Sequence, residues 1–545
     1  MRSPGLTGTL RMICALTCLC LALSSCAGTR EESGAVAGAG KTLRYATATE
    51  PECLDPQVGG RDVDALIDRN IFDSLVSATE DGTFRPWLAE SWTISEDRTT
   101  YTFRLRPGVR FQDGTPLDAA AVKATLDHAV DPKAKSFYAA SLVGAYAGAT
   151  IVDPLVIEVR LSHPSSPFLQ ALSTPYLGIQ SPKSMRENAG RLCQKPVGSG
   201  PFGFVEWRKN TSVVLKRNPD YNWGPPDAKH TGMAKLKGIT FSFVPENSVR
   251  LGSLMSGQVD AIGEVPTVNA TTVAKALRLL RHPAPGAVYT IFLNSGSGPL
   301  VDERVRIALQ RSLNLDQLIK ALHFGQYDRA WSVLGPTTVA YDRTVEGSWK
   351  YDPKLANRLL DEAGWTGRDA AGYRTKDGRR LTLVWPYAKQ LSRDGREFIG
   401  QGIAADARRV GFDVRFEREE PGALNTQLAS GKGLDMFAMS FVRSEPDILR
   451  YFFASDQTVN KGGGNLFRVA DPQLDRWFRD ATTDNDTAAR RQSFEQAQQY
   501  IRTHALAIPV YVPKAMIGTS KKLHDVGFAP DAYPLFYDAW LGAGR

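Results

Sequence analysis

Residues 381–440 alternate strand and helix in a way that leaves few folds open. "LTLVWPY" is β-rich, "GREFIGQGIAADARRV" spaces its apolar residues for a helix, and "FDVRFERE" alternates. "GALNTQLASG" is helical up to a glycine stop, and "LDMFAMS" is a further strand. A βαβαβ succession needs crossover connections, which implies an α/β fold with a parallel sheet covered by helices. Ligands of such sheets bind outside the carboxyl ends of the strands. The segment that leaves "LDMFAMS", "FVRSEPDILRYFF", therefore lies where a ligand is expected, and Arg443 is the first cation in it.

The first half is less regular. "TLRYATA", "TYTFRLR", "LVIEVRL", "TSVVLKR" and "GITFSFV" read as strands. "DAAAVKATLDHAV" is a helix with Asp118 as N-cap, and "ENSVRLGSLMSG" is a helix closed by Gly257. The roughly 505 residues from Lys41 onward exceed what one core organises, so two or three domains are expected. There is no tandem repeat.

The amino terminus supplies an address. Arg2 and Arg11 flank and precede the apolar run 12–23, which is shorter than the roughly 20 residues of a membrane span and reads as a secretory signal. It ends in Leu23-Ser24-Ser25-Cys26, which resembles the bacterial lipobox, so the expected mature chain begins at a lipidated Cys26 with residues 1–25 removed. The following "AGTREESGAVAGAG" is a flexible tether over residues 26–40. Loss of Arg2 and Arg11 lowers the formal net charge from +8 to +6. With no long basic block, that charge suits a solvated face near an anionic membrane and argues against nucleic acid.

Three of the six cysteines leave with the signal and Cys26 is the lipid site. Cys53 and Cys193 remain, and in an exported protein a disulfide is favoured over two free thiols. No CxxC, Cys/His pairing or HExxH is present, so no metal site and no cofactor is expected.

Enzyme signals fail on context. "GSGPFG", residues 198–203, matches GxGxxG but contains Pro201 and leads into a β-hairpin pattern, so no helix N-terminus is available to cradle a phosphate. "AGAGKT" lacks the first glycine of a phosphate loop and lies in the tether. No GxSxG elbow exists, and the seven histidines are scattered. The chain is not expected to be an enzyme.

"LAESWTISEDRTTYTFRLRPGVRFQDGTPLDAAAVKATLDHAVDP", residues 88–132, resembles the signature of the bacterial extracellular solute-binding proteins, family 5, which serve peptide and nickel ABC importers. "ECLDPQ", "PVGSGPFGFVEWRKNTSVVLKRNPDYNWG", "RLGSLMSGQVDAI", "LVDERVRIALQRSLNLDQLIKAL" and "ALAIPVYVP" follow in family order across residues 43–538. Within these motifs Trp92, Tyr101, Phe103 and Phe111 are core candidates. The glycines of "GSGPFG" are then turn residues, at positive φ or at a close backbone approach.

The resemblance implies a type II periplasmic-binding-protein fold of two α/β lobes and a hinge, with a subdomain inserted in the first lobe. On that template the first lobe is 41–70, 164–282 and 505–545, the insert 71–163 and the second lobe 283–504. Both cysteines fall in the first lobe, where a bond leaves hinge closure free. The implied function is capture of an oligopeptide or peptide-like solute between the lobes, by an exported, lipid-anchored monomer that delivers it to a membrane permease and its ATPase. Alternatives are an anionic metabolite or carboxylate-bearing metal chelate, or a surface signalling receptor that keeps the fold.

Peptide-binding members resemble W-x-A-D-Y-x-(D/E)-P at the segment containing Arg443, the aspartate pairing with the peptide's amino group. Anchored on Glu445-Pro446, that aspartate is Val442 here, and Arg443 replaces the aromatic. Two readings of Arg443 stand equal: it clamps a ligand carboxylate through paired N–H donors, or it pairs with Glu445 or Asp447. Further cleft candidates carried by the resemblance are Phe441, Asn294, Trp385, Tyr387, Gln57 and Glu50. Core packing is as good a reading for Trp385 and Tyr387, and a surface role for Glu50.

Overall fold

The computed structural model describes residues 40–542, apart from 137, 390–391, 460–462 and 484–485, so the signal segment and Cys26 lie outside the described residues. No described helix is long and apolar enough to cross a membrane.

A seven-stranded mixed sheet organises the first body. Across it run Arg278–Pro283, Lys514–Thr519, Ala261–Ile262, Thr42–Thr47, Gly238–Phe243, Ser212–Arg217 and Phe202–Arg208. Thr42–Thr47 pairs in parallel with Gly238–Phe243, Tyr45 opposite Phe241. Leu43 and Tyr45 alternate into the core with Ile239 and Phe241, as a strand with one buried face requires. A separate antiparallel sheet of Ala89–Ile94, Thr100–Leu105, Val156–Leu161 and Tyr146–Asp153 packs against the helix Ala119–Val130. Asp118 caps that helix, accepting from the Ala121 N–H at 3.1 Å. Tyr101, Phe103 and Phe111 are buried, and Trp92 packs half-buried against them.

The second body is built on Gly286–Leu293, buried along its whole length between Met436–Val442 and Ala507–Val512. The βαβαβ elements form where expected: Thr382–Tyr387, Arg396–Val410, Asp413–Arg418, Pro421–Ser430 and Met436–Val442. Their pairing is parallel for Thr382–Tyr387 with Asp413–Arg418. The third strand departs from that expectation and runs antiparallel to Gly286–Leu293, with Val442 opposite Gly286. It stays tied to the first strand at its start, where the Asp435 N–H donates to the Val384 carbonyl (2.9 Å) and the Asp435 carboxylate accepts from the Val384 N–H (2.8 Å).

The chain passes between the bodies at residues 283–286 and 512–514, two strands side by side, with the Ala284 N–H donating to the Pro513 carbonyl at 2.9 Å. The second crossing corrects one expected boundary. Ala507–Val512 belongs to the sheet of the second body, so the return to the first lies at Pro513 and not near residue 505. Composition does not separate these alternatives, because the whole run "ALAIPVYV" is apolar and suits either core.

"GSGPFG" leads into the antiparallel hairpin Phe202–Arg208 and Ser212–Arg217, so no phosphate-binding helix follows it. Its glycines are there for proximity, since none of the three has positive φ. A Cβ on Gly198 would lie 2.0 Å from the Ile71 carbonyl oxygen, inside any permitted contact.

Candidate functional site

Four distant pieces of chain enclose a cavity between the two bodies: Tyr138, the segment 167–176, residues 442–445 and Asp531 with Tyr533. Its volume is about 10 Å³. That is about the minimum for one water molecule, so a larger ligand enters only when the bodies part.

Arg443 follows directly from Met436–Val442 and lines the cavity while only 9% exposed. Gly286 lets the chain take this course. Its φ is +88°, and a Cβ there would stand 2.5 Å from the Arg443 nitrogen and 2.4 Å from the Phe441 carbonyl oxygen. The Arg443 Nε is buried with no hydrogen-bond partner, and its side chain has no ion pair among the described residues. The carboxylates nominated for it are engaged elsewhere. Glu445 is ion-paired with Arg490, whose Nε donates to the Ala481 carbonyl at 2.9 Å. Asp447 accepts from the Thr482 hydroxyl at 3.3 Å. A buried guanidinium with an unmatched N–H loses hydration without compensation, which is costly unless another acceptor takes the place of water.

The facing wall carries one carboxylate. Asp531 accepts from the Ser444 N–H at 3.3 Å. Burial raises its pKa, against hydrogen bonding from Ser444 and the attraction of Arg69 and Arg443. Arg69 is itself held, donating to the Ser74 hydroxyl (2.9 Å) and the Ser173 carbonyl (2.6 Å). Aromatic rings complete the lining. Tyr138 meets Tyr176 edge-on at 4.5 Å and lies 5.5 Å from Phe441, so rings of both bodies touch across the cleft. Burial raises the pKa of the Tyr138, Tyr176 and Tyr533 phenols, which keeps them protonated.

Polar bridges hold this closed arrangement. Gln170 Nε2 donates to the Ser444 hydroxyl, and the Ser166 N–H donates to the Thr482 carbonyl at 2.9 Å. Arg393 forms an ion pair with Asp62 at 3.1 Å, and Asp62 also accepts from the Tyr533 hydroxyl at 3.1 Å. Within the second body, Arg393 and Arg396 both donate to the Ser440 hydroxyl, which fixes Arg393 for its contact across the cleft.

The other candidates are placed less directly. Val442 lines the cavity, and Phe441 flanks it through Tyr138. Gln57 lies behind the wall, donating to the Tyr176 and Gly178 carbonyls at 3.2 and 3.0 Å and so fixing the segment that carries Tyr176. Glu50 ties down the hairpin, accepting from Trp207 Nε1 (2.8 Å) and the Asn210 N–H (2.9 Å). Asn294 closes its own turn, donating to the Ser297 hydroxyl and the Leu434 carbonyl. Trp385 is core, 5.0 Å from Phe416, and Tyr387 stacks on the same ring at 4.1 Å. None of these five lines the cavity. Cys53 and Cys193 form a disulfide inside the first body, their Cα atoms 4.3 Å apart. Among the described residues no group of histidine, cysteine and acidic side chains is arranged to hold a metal.

Sequence reasoning missed Tyr138, Gln170, Tyr176, Asp531 and Tyr533. They share no motif and no spacing, and only the tertiary fold joins them.

The family model for "Bacterial extracellular solute-binding proteins, family 5 Middle" matches residues 83–463, more than half of the chain. The glutathione-binding protein GsiB of Escherichia coli (strain K12) is 29% identical over 516 residues, covering 92% of this chain and 95% of that protein. Among solved structures, NikA from Brucella suis in complex with Fe(III)-EDTA superposes with a TM-score of 0.81 at 24% identity, covering 92% of this chain and 99% of that one. DppA from Helicobacter pylori in complex with the peptide STSA does so with a TM-score of 0.76 at 23% identity, covering 93% and 99%. The architecture is that of a type II periplasmic-binding protein, two lobes about a hinge with an inserted subdomain.

Proposed function

The chain belongs to the bacterial extracellular solute-binding proteins, family 5, and from that premise we propose that it captures a small, carboxylate-bearing peptide or peptide-like solute such as glutathione. As a solute-binding protein of an ABC importer it is not an enzyme. The observation that carries the ligand class is Arg443, a buried cation at the mouth of a sheet strand with an unmatched donor and no carboxylate partner among the described residues. A ligand carboxylate supplies the missing acceptor in paired, charge-assisted form.

Closure follows from the two crossings at 283–286 and 512–514. The lobes part there, the solute enters, and the closed form is selected because Arg443 and the facing wall reach the ligand together only when closed. On this reading the first lobe is 41–70, 164–282 and the chain beyond Pro513, the insert is 71–163, and the second lobe lies between the crossings. Cys26 carries the lipid that keeps the protein at the outer face of the membrane beside its permease and ATPase. A second reading, a carboxylate-bearing metal chelate, is favoured by Val442 standing where peptide-binding members place an amine-pairing aspartate.

Native mass spectrometry of gently purified protein, with titration by glutathione and by short peptides, tests the proposal. Release of a carboxylate-bearing peptide supports it, and a cationic solute without a carboxylate refutes it.

A further inference from the structure

We propose that Arg443 and Asp531 together read the zwitterionic α-amino-acid end of the ligand, Arg443 taking the α-carboxylate and Asp531 the α-ammonium on the same carbon. This rests on the carboxylate reading above and narrows it. Both groups line the same cavity, one from each lobe, and both are only 9% exposed. No ion pair joins them to each other, although Arg443 lies near enough for its charge to act on Asp531. Asp531 keeps acceptor capacity, because a carboxylate has about four lone-pair sites and Ser444 supplies its only side-chain or backbone donors among the described residues. Glu445, the other acidic group on the lining, is engaged by Arg490.

A cation and an anion that line opposite walls of one cleft match, once the bodies part enough to admit it, a ligand fragment that carries both charges close together. An ordinary peptide does not present such a fragment: its amino end has no adjacent carboxylate and its carboxyl end no adjacent ammonium. A γ-glutamyl residue, a free amino acid or a side-chain-linked amino acid does. Because Asp531 comes from the first lobe and Arg443 from the second, the zwitterion also bridges the lobes and contributes to closure. Asp531 thus replaces, from the opposite wall, the amine partner absent at Val442.

The test is calorimetric titration of the full mature protein with three probes: a γ-glutamyl tripeptide, its α-glutamyl isomer of identical composition and charge, and the γ form acetylated on its α-amino group. The expected result is binding of the free γ form at least about tenfold tighter than either control. Asp531→Asn is expected to bring the free and acetylated forms within about threefold of each other. Equal binding of all three probes by the wild type, or binding of none, overturns the inference, and this comparison needs no variant. If the isomers bind equally but Arg443→Ala weakens both, the carboxylate reading stands and the zwitterion reading alone falls. If Arg443→Ala weakens neither, both fall.

Discussion

Replacing Arg443 by alanine separates a ligand clamp from a structural cation, because the two roles move affinity and stability in different directions. In the closed cleft its Nε is buried and unpaired, which costs about 1–3 kcal/mol for the lost hydration. Alanine removes that cost, and no ion pair among the described residues is broken. The melting temperature of the ligand-free protein is therefore expected to stay within a degree or two, or to rise. Two charge-assisted hydrogen bonds to a ligand carboxylate contribute about 1.5–3 kcal/mol each. Even the lower figure for the pair, about 3 kcal/mol, corresponds to roughly 100-fold in dissociation constant. Lysine keeps the charge but loses the planar fork, so Arg443→Lys should recover only part of the affinity. Calorimetric titration with glutathione gives the constants, and differential scanning fluorimetry gives the stability. Affinity within about threefold of wild type, or a melting temperature lowered by many degrees, would refute the argument and make Arg443 part of the scaffold.

Other outcomes follow from the same geometry. The Cys53–Cys193 bond closes a sequence separation of 140, for which chain entropy sets about 5 kcal/mol and experience about 2–4 kcal/mol. The double serine variant should unfold earlier in calorimetry while binding ligand as before, since both cysteines lie in one lobe. Gly286→Ala should lower stability by more than about 2 kcal/mol in denaturant titration, because it combines positive φ with a backbone clash against the Arg443 segment. Burial pushes the Asp64 pKa up to about 6, partly opposed by the N–H groups of Arg61 and Glu52. The native state then holds a proton that the unfolded chain releases near pH 4, so the stability tied to Asp64 is full at low pH and is lost as pH rises from about 4 to 6. Asp64→Asn should flatten that part of the pH–melting curve.

What was legible beforehand was local. The period of apolar residues in 381–440 marked each strand and helix, and Asp118 marked a cap, because those signals depend on neighbours a few residues away. The family motifs and the position of Arg443 just past a strand were legible for the same reason. Pairing was less so: the strand Met436–Val442 looks alike beside a parallel or an antiparallel neighbour, and Gly286–Leu293, some 150 residues earlier in the chain, decided it. Trp385 and Tyr387 are ambiguous in the sequence because an aromatic on a strand suits a core or a cleft, and only the folded structure shows that both rings pack on Phe416 of the adjacent strand.

By itself the sequence determined the α/β class, the order of elements, the family and the presence of a cation where a ligand is expected. Only the tertiary structure decided whether that cation has a partner. Glu445 and Asp447 are its neighbours in sequence, yet the helix Thr487–Thr503 brings Arg490 to Glu445 and Thr482 reaches Asp447. Asp531, 88 positions away, faces it instead. Charge pairing is set by distance and burial in space, and the chain connects those groups only through its folded path.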